Sequence, residues 1–339
     1  MAAERFRAMG TEVHVIVVGG DDSLARRAHA RIVELEQRWS RFVADSEISE
    51  LNRHAGSFVS VSSDTVELVR CALDAWRATD GLYDPTVLGA LIRAGYDRSF
   101  ELLIESPRRG TSHLVAGADG IGIRGDAVRL RAGTGFDPGG IGKGLAADLV
   151  ADELRDSGAA GGCVNLGGDV RVFGESPSQA TGERSAWTVD VHAPMSQAPI
   201  ARLGIAEGAV ATSTTLRRRW TIDNEHRHHL IDPATGEPSK STIVAATVVA
   251  AKAWAAEVTA KALLLRGAPH QFDLLATSGA EALVVHDDGR VEQTFGLAAF
   301  LDGERLAQVI TRVARSPGMW PGRPDSSPGR CSRRRRSGG

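Results

Sequence analysis

The sequence predicts an α+β, or complex α/β, fold in which mixed sheets are flanked by helices. Segments of helical period and segments of strand period succeed one another without the strict alternation that a doubly wound parallel sheet requires. A hydrophobic content of 42% against 24% charged residues supplies enough apolar surface for those segments to share a core. The glycine-rich stretch near the centre of the chain joins a turn directly to a helix, which places it inside the packed unit.

In chain order, residues 1–18 alternate apolar and polar positions and read as a first strand. Asp22 or Ser23 then caps a helix whose apolar positions Leu24, Ala28, Ile32, Leu35 and Trp39 share one face. Asp64 to Glu67 has capping-box character and opens a second helix, with Val66, Val69, Leu73 and Trp76 inward and Gly81 beyond its end. Further on, Cys163 to Leu166 and Val170 to Phe173 read as strands around Gly167 and Gly168, and Trp187 to His192 alternates. Ile243 to Ala250 is a β-branched strand, Ala251 to Leu265 an alanine- and leucine-rich helix stopped by Gly267, and Glu281 to Thr294 a hairpin turning at Asp288 and Gly289.

Residues 1–315 form a single domain in this reading. From Ser316 the chain is rich in Pro, Gly, Ser and Arg without periodicity, so residues 316–339 are expected to be a disordered tail, with Arg333 to Arg336 solvated. A net charge of −2 gives no electrostatic reason to expect nucleic acid as a partner. No run approaches the ~18 apolar residues of a spanning helix, so membrane insertion is not expected. The start lacks a signal-peptide core and a lipid-attachment cysteine, and Cys71, Cys163 and Cys331 have neither disulfide-framework nor metal spacing. The cytoplasm is the expected compartment.

The most informative stretch runs from Phe136 to Gly158, FDPGGIGKGLAADLVADELRDSG, followed by CVNLGGDVRVFG. Asp137 and Pro138 stop the preceding element, four glycines keep the turn bare, and Ile141, Leu145, Leu149 and Leu154 start a helix. Free N–H groups at a helix start, the helix dipole and the ammonium of Lys143 are the ingredients of a phosphate site. With MGTEV at residues 9–13, WSRFVADSEISELN at 39–52, TDGLYDPTVLGAL at 79–91, ATSTTLRRRW at 211–220 and HHLIDPATGEP at 228–238, this stretch resembles the ApbE family, the FAD:protein FMN transferases, from Met9 to about Gly267.

The resemblance implies two intimately packed subdomains with a flavin site between them. It implies an enzyme that binds FAD as substrate, cleaves its pyrophosphate, and attaches FMN through a phosphoester to a Thr or Ser of an acceptor protein, releasing AMP. By the same resemblance Met9, Phe42, Leu82, Tyr83, Asp84, Asp137, Lys143 and Ile231 contact FAD. Phe42 stands where relatives often carry Tyr, and either ring stacks on a flat heterocycle. Thr212 and Ser213 offer hydroxyls for phosphate or ribose oxygens, although an ST-turn explains them equally well. His229 aligns with a histidine near the acceptor hydroxyl and is the candidate base, its class having the right unperturbed pKa. His226 and His228 complete no zinc set.

One departure stands out. Relatives place an Asp and a Thr one helical turn apart to hold Mg²⁺, with help from the main chain near Gly140, whereas this chain has Glu257 and Lys261 at those positions. An ion pair at i,i+4 explains them structurally; alternatively, the Lys261 ammonium replaces the ion. The altered pair leaves open a non-catalytic FAD-binding protein or flavin carrier, and an FAD pyrophosphatase that yields FMN and AMP to water remains a third reading.

Overall fold

The computed structural model describes residues 1–105, 108–177, 186–193, 198–276, 278–301 and 310–312. The expected tail, 316–339, lies outside them. The chain opens with β1 (Ala2–Ala8) and β2 (Thr11–Val18), paired antiparallel around a two-residue turn. Residues 1–18 are therefore a hairpin and not a single strand. Met9 and Gly10 both have positive φ, 51° and 65°, which is the backbone of a type I′ turn; methionine gives no turn signal in the sequence. The helix α1 (Leu24–Trp39) follows as its spacing predicts, burying Leu24, Ala28, Ile32, Leu35 and Trp39.

Next come α2 (Glu47–Arg53), β3 (Val59–Ser60) and α3 (Ser63–Ala78). The cap of α3 is Ser62, whose hydroxyl accepts from the Thr65 amide, so the helix begins ahead of the expected Asp64 box. Trp76 on α3 is only half-buried. After α4 (Leu88–Arg93) and α5 (Phe100–Glu105), β4 (Gly122–Arg124) and β5 (Ala127–Arg129) complete a small sheet with β3. The glycine-rich turn leads into α6 (Gly142–Asp156), then β6 (Gly161–Leu166) and β7 (Asp169–Gly174).

The second half contributes the hairpin β8 (Trp187–His192) and β9 (Pro199–Ile205), then β10 (Gly208–Thr214) and the ribbon β11 (Arg219–Ile222) with β12 (Glu225–His228). The short pair β13 (Ile231–Asp232) and β14 (Glu237–Pro238) precedes β15 (Ile243–Ala250) and α7 (Ala253–Arg266). The chain then forms β16 (Glu281–His286), β17 (Val291–Gln293) and β18 (Ile310–Arg312).

One nine-stranded sheet, ordered β1-β2-β6-β7-β10-β15-β16-β17-β18, organises the molecule. Among the described residues it is mixed only through the parallel pairing of β17 with β18. Because side chains alternate across a strand, Ala246 and Val248 of β15 enter the core beneath α1, α6 and α7, while Ala245 and Val249 enter the core beneath the β8–β9 hairpin. Burial on both faces explains the continuous apolar run of β15. A separate cluster joins α4 to the β11–β12 ribbon, with Leu91, Tyr96, Trp220 and Ile222 in contact and the Trp220 indole donating to Ala94 O at 2.8 Å.

Two details lock α6 to α7. Gly144 approaches so closely that a Cβ there would lie 2.5 Å from Ala253 O. Asp148 of α6 accepts from the Ala253 and Trp254 amides, each at 3.0 Å, and so caps α7, whose own N-cap residue Lys252 makes no side-chain cap bond. The same buried carboxylate lies 3.2 Å from Arg171 Nε. We expect Asp148→Ala to cost about 3–5 kcal/mol in urea unfolding, because it strips the cap and leaves a buried guanidinium without this partner. Asp148→Asn, which keeps an accepting oxygen, should recover part of that loss.

Candidate active site

A cavity of about 370 Å³ opens between the sheet-and-helix body and the α4/β11–β12 cluster, within the size range of small-molecule sites. Its wall comes from distant segments: the Met9 turn, the α1–α2 connection, residues 82–84, the glycine-rich turn, Arg218, residues 229–231 and α7. The β1–β2 turn presents Met9, and the Met9 amide donates to Glu36 Oε1 at 2.6 Å. Asn52 exchanges two hydrogen bonds with the Phe136 backbone, at 2.6 and 3.0 Å, which positions Asp137 at the start of the turn. Asp84 is occupied locally, accepting from the Thr86 amide at 2.7 Å and from its hydroxyl at 2.5 Å.

One part of the cavity is aromatic. The Arg41 guanidinium lies 4.2 Å from the Phe42 ring centre and 4.8 Å from that of Tyr96, a cation–π arrangement. Its Nε is 2.8 Å from Asp137 Oδ1 and its NH2 donates to Tyr96 O at 2.9 Å. Phe42 keeps 42% of its surface exposed, so its ring is available to a ligand. Arg41 and Tyr96 were not foreseen in the sequence, since an arginine beside an aromatic residue carries no spacing signal.

The other part is cationic. Lys143 lies in the first turn of α6, and its ammonium is bonded to Asp169 and, at 2.6 Å, to Glu257 Oε1. Glu257 Oε2 accepts from the Gly144 amide at 2.8 Å. The helix start is thus less open than its glycines suggest: Gly144 N–H serves Glu257 and Gly142 N–H donates to Pro138 O at 2.8 Å. The Lys261 ammonium is held more loosely, 3.2 Å from Gly139 O and 3.4 Å from Glu257 Oε1. Gly140 is required here, because a Cβ would stand 2.8 Å from the Tyr83 ring and 3.3 Å from Lys261 Nζ.

Burial and neighbouring charge set the protonation of this cluster. Burial pushes Asp169 up to about 6 against the pull of Lys143. Glu257 also pays for burial, but Lys143 and Lys261 outweigh it and hold the carboxyl below its ordinary range. Lys143 is likewise penalised by burial, yet Asp169 and Glu257 raise it. Lys261 is lowered, chiefly by burial.

Two polar atoms in the cavity wall lack any hydrogen-bond partner among the described residues: Tyr83 Oη and His229 Nδ1. A buried unpaired group of this kind costs about 1–3 kcal/mol. His229 follows β12 and is held well below the ordinary imidazole value of 6.5 by burial, reinforced by the Lys261 and Arg218 charges. Its neighbour His228 is engaged elsewhere, with Nε2 3.0 Å from Ser239 O. Among the described residues no group of His, Cys, Asp and Glu is arranged to hold a metal ion.

The structure therefore brings Met9, Phe42, Leu82, Tyr83, Asp84, Asp137, Gly140, Lys143, His229, Ile231 and Lys261 to one cavity. Glu257 stands behind it, bonded to Lys143. Thr212 and Ser213 lie on β10 and are not part of the wall; the Thr212 hydroxyl pairs with that of Thr247 on β15 at 2.9 Å. Asp169, the acid after Gly167 and Gly168, is a partner of Lys143.

An aromatic clamp joined through Asp137 to a lysine-bearing turn, beside a neutral histidine, defines a site of the nucleotide-handling class. The ApbE family model matches residues 9–284, and the chain belongs to that family. It is 28% identical over 270 residues to the FAD:protein FMN transferase of Treponema pallidum, covering 75% of this chain and 74% of that one. It is 30% identical over 247 residues to the enzyme of the same name from Chlamydia trachomatis, covering 68% and 71%. The ApbE protein of Thermotoga maritima superposes with a TM-score of 0.79 at 25% identity, covering 89% of this chain and 99% of that one. The flavin transferase ApbE of Vibrio cholerae gives 0.72 at 21%, covering 88% and 98%.

The depressed His229 has a stability consequence. The unfolded chain takes up this proton near pH 6.5 while the folded chain does not, so the unfolded state binds more protons and stability falls on acidification below that value. Replacing His229 by Gln removes this contribution. The stability difference between wild type and His229→Gln should shift toward the variant from about pH 7 to about pH 5 in urea titrations.

Proposed function

We propose that this chain is an FAD:protein FMN transferase. The observation that carries the reading is a cavity with an aromatic part at Phe42 and Tyr96 and a cationic part at Lys143 and Lys261, in a chain of the ApbE family. Phe42 and Tyr96 meet the flat isoalloxazine, with Arg41 fixing the rings and tying them to Asp137. The pyrophosphate lies by the glycine-rich turn, where Lys261 offers charge.

Neutral His229 takes the proton from a Thr or Ser hydroxyl of the acceptor protein. The hydroxyl oxygen forms a bond to the phosphorus of the FMN half, the phosphoanhydride bond breaks, and AMP leaves with the bridging oxygen. Alignment and charge stabilisation supply most of the rate in such transfers. Burial and the neighbouring Lys261 and Arg218 charges keep His229 unprotonated at neutral pH, which leaves it free to accept a proton but makes it a weaker base than an ordinary imidazole. Of the described helices none is long and apolar enough to cross a membrane.

Incubating the purified chain with FAD and a small flavin-accepting domain bearing a target threonine should release AMP and leave fluorescent FMN covalently on the domain in equal amounts. FAD bound tightly with no AMP, when another transferase labels the same domain, would make the chain a flavin-binding protein. AMP without adduct would make it a pyrophosphatase. His229→Gln should lower the transfer rate roughly 100- to 10,000-fold while FAD binding stays within about threefold of wild type.

A further inference from the structure

The family resemblance places a divalent ion against an Asp and a Thr one helical turn apart, the positions of Glu257 and Lys261 in α7, with help from the main chain near Gly140, and the residues of this chain do not fit that ion. Both oxygens of Glu257 are occupied, Oε1 by Lys143 and Lys261 and Oε2 by the Gly144 amide. Gly139 O, the main-chain oxygen that faces this point, is already 3.2 Å from Lys261 Nζ. A magnesium ion requires near-octahedral oxygen ligation at about 2.0–2.1 Å, and here an ammonium stands on the same two acceptors. Two cations cannot share that place. The charge is also already balanced, with Lys143 and Lys261 set against Asp169 and Glu257.

The two ammonium groups are not equivalent. Lys143 is committed to two buried carboxylates, whereas Lys261 makes two long contacts and forms part of the cavity wall. An ammonium has three N–H donors. With Gly139 O and Glu257 Oε1 as its partners among the described residues, one donor is left to face the cavity.

We propose that Lys261 is the resident cation of this site, excluding a divalent ion and donating its third N–H to a pyrophosphate oxygen, so that FAD is held without metal. The ligand half of this proposal rests on the FAD reading above; the exclusion of the ion does not. A point charge supplies attraction without imposing octahedral geometry, so the alignment of the phosphates falls to the glycine-rich turn and Asp137.

The test uses the full chain stripped with EDTA. Mn²⁺ titrated alone and followed by electron paramagnetic resonance should show no bound ion in the wild type and one site in Lys261→Thr. FAD binding, read by flavin fluorescence, should change by less than about twofold between EDTA and millimolar Mg²⁺ in the wild type. Lys261→Thr should bind FAD about tenfold or more weakly in EDTA and regain affinity with Mg²⁺, while Lys261→Met should be weakened in both. The wild-type measurements need no variant to fold, and thermal unfolding checks those that are made. A wild-type Mn²⁺ site lost in Glu257→Gln, or wild-type FAD affinity that rises about tenfold with Mg²⁺, would overturn the proposal. Wild-type chain that binds FAD under neither condition refutes the FAD reading and the ligand half together, while the Mn²⁺ result separately decides whether Lys261 excludes the ion.

Discussion

The carboxylate of Glu257 is the interaction on which the rest of the site depends. It is 1% exposed on a helix made largely of alanine and leucine, where an unpaired charge would be prohibitive. Its partners are the Gly144 amide, Lys143 and Lys261. Each of those exists because of a neighbouring constraint. Gly144 must lack a side chain for α6 and α7 to touch, and that contact is what brings its amide within reach of α7. Lys143 is carried to the carboxylate by the first turn of α6. Packing and electrostatics are thus one problem here, and a change in either helix moves the cationic part of the cavity.

A second buried acid, Asp148, does parallel work one turn further along α6 by capping α7 and meeting Arg171. Between them the two carboxylates fix both the start and the rotation of α7, which decides where Lys261 points. The aromatic part of the cavity is held by a separate device, the Arg41 guanidinium between Asp137 and the Phe42 and Tyr96 rings. Asp137 therefore belongs to both parts, and the glycine-rich turn cannot shift without disturbing the rings.

Much of this was legible in the residues because local pattern and tertiary packing agree. The α1 spacing, the alternation of β8 and the β-branched run of β15 predict their elements almost residue for residue, and the five motif segments converge on one cavity. What sequence did not convey were arrangements decided by partners far along the chain. Met9 turns a hairpin although its type gives no turn signal. Ser62, not Asp64, caps α3 because it is the serine whose hydroxyl meets the Thr65 amide. Lys143 reads as a phosphate ligand from its glycine-rich setting alone, yet Asp169 and Glu257 claim its ammonium. Thr212 faces Thr247 because β10 pairs with β15 in that register.

The ion pair between Lys143 and Glu257 joins residues 114 positions apart. While the chain is being made, Asp169 follows Lys143 by 26 positions and Glu257 by 114, so the lysine meets its first carboxylate well before its second. The cationic part of the cavity takes both Glu257 and Lys261 from α7, so it is complete only once the chain has been made through that helix.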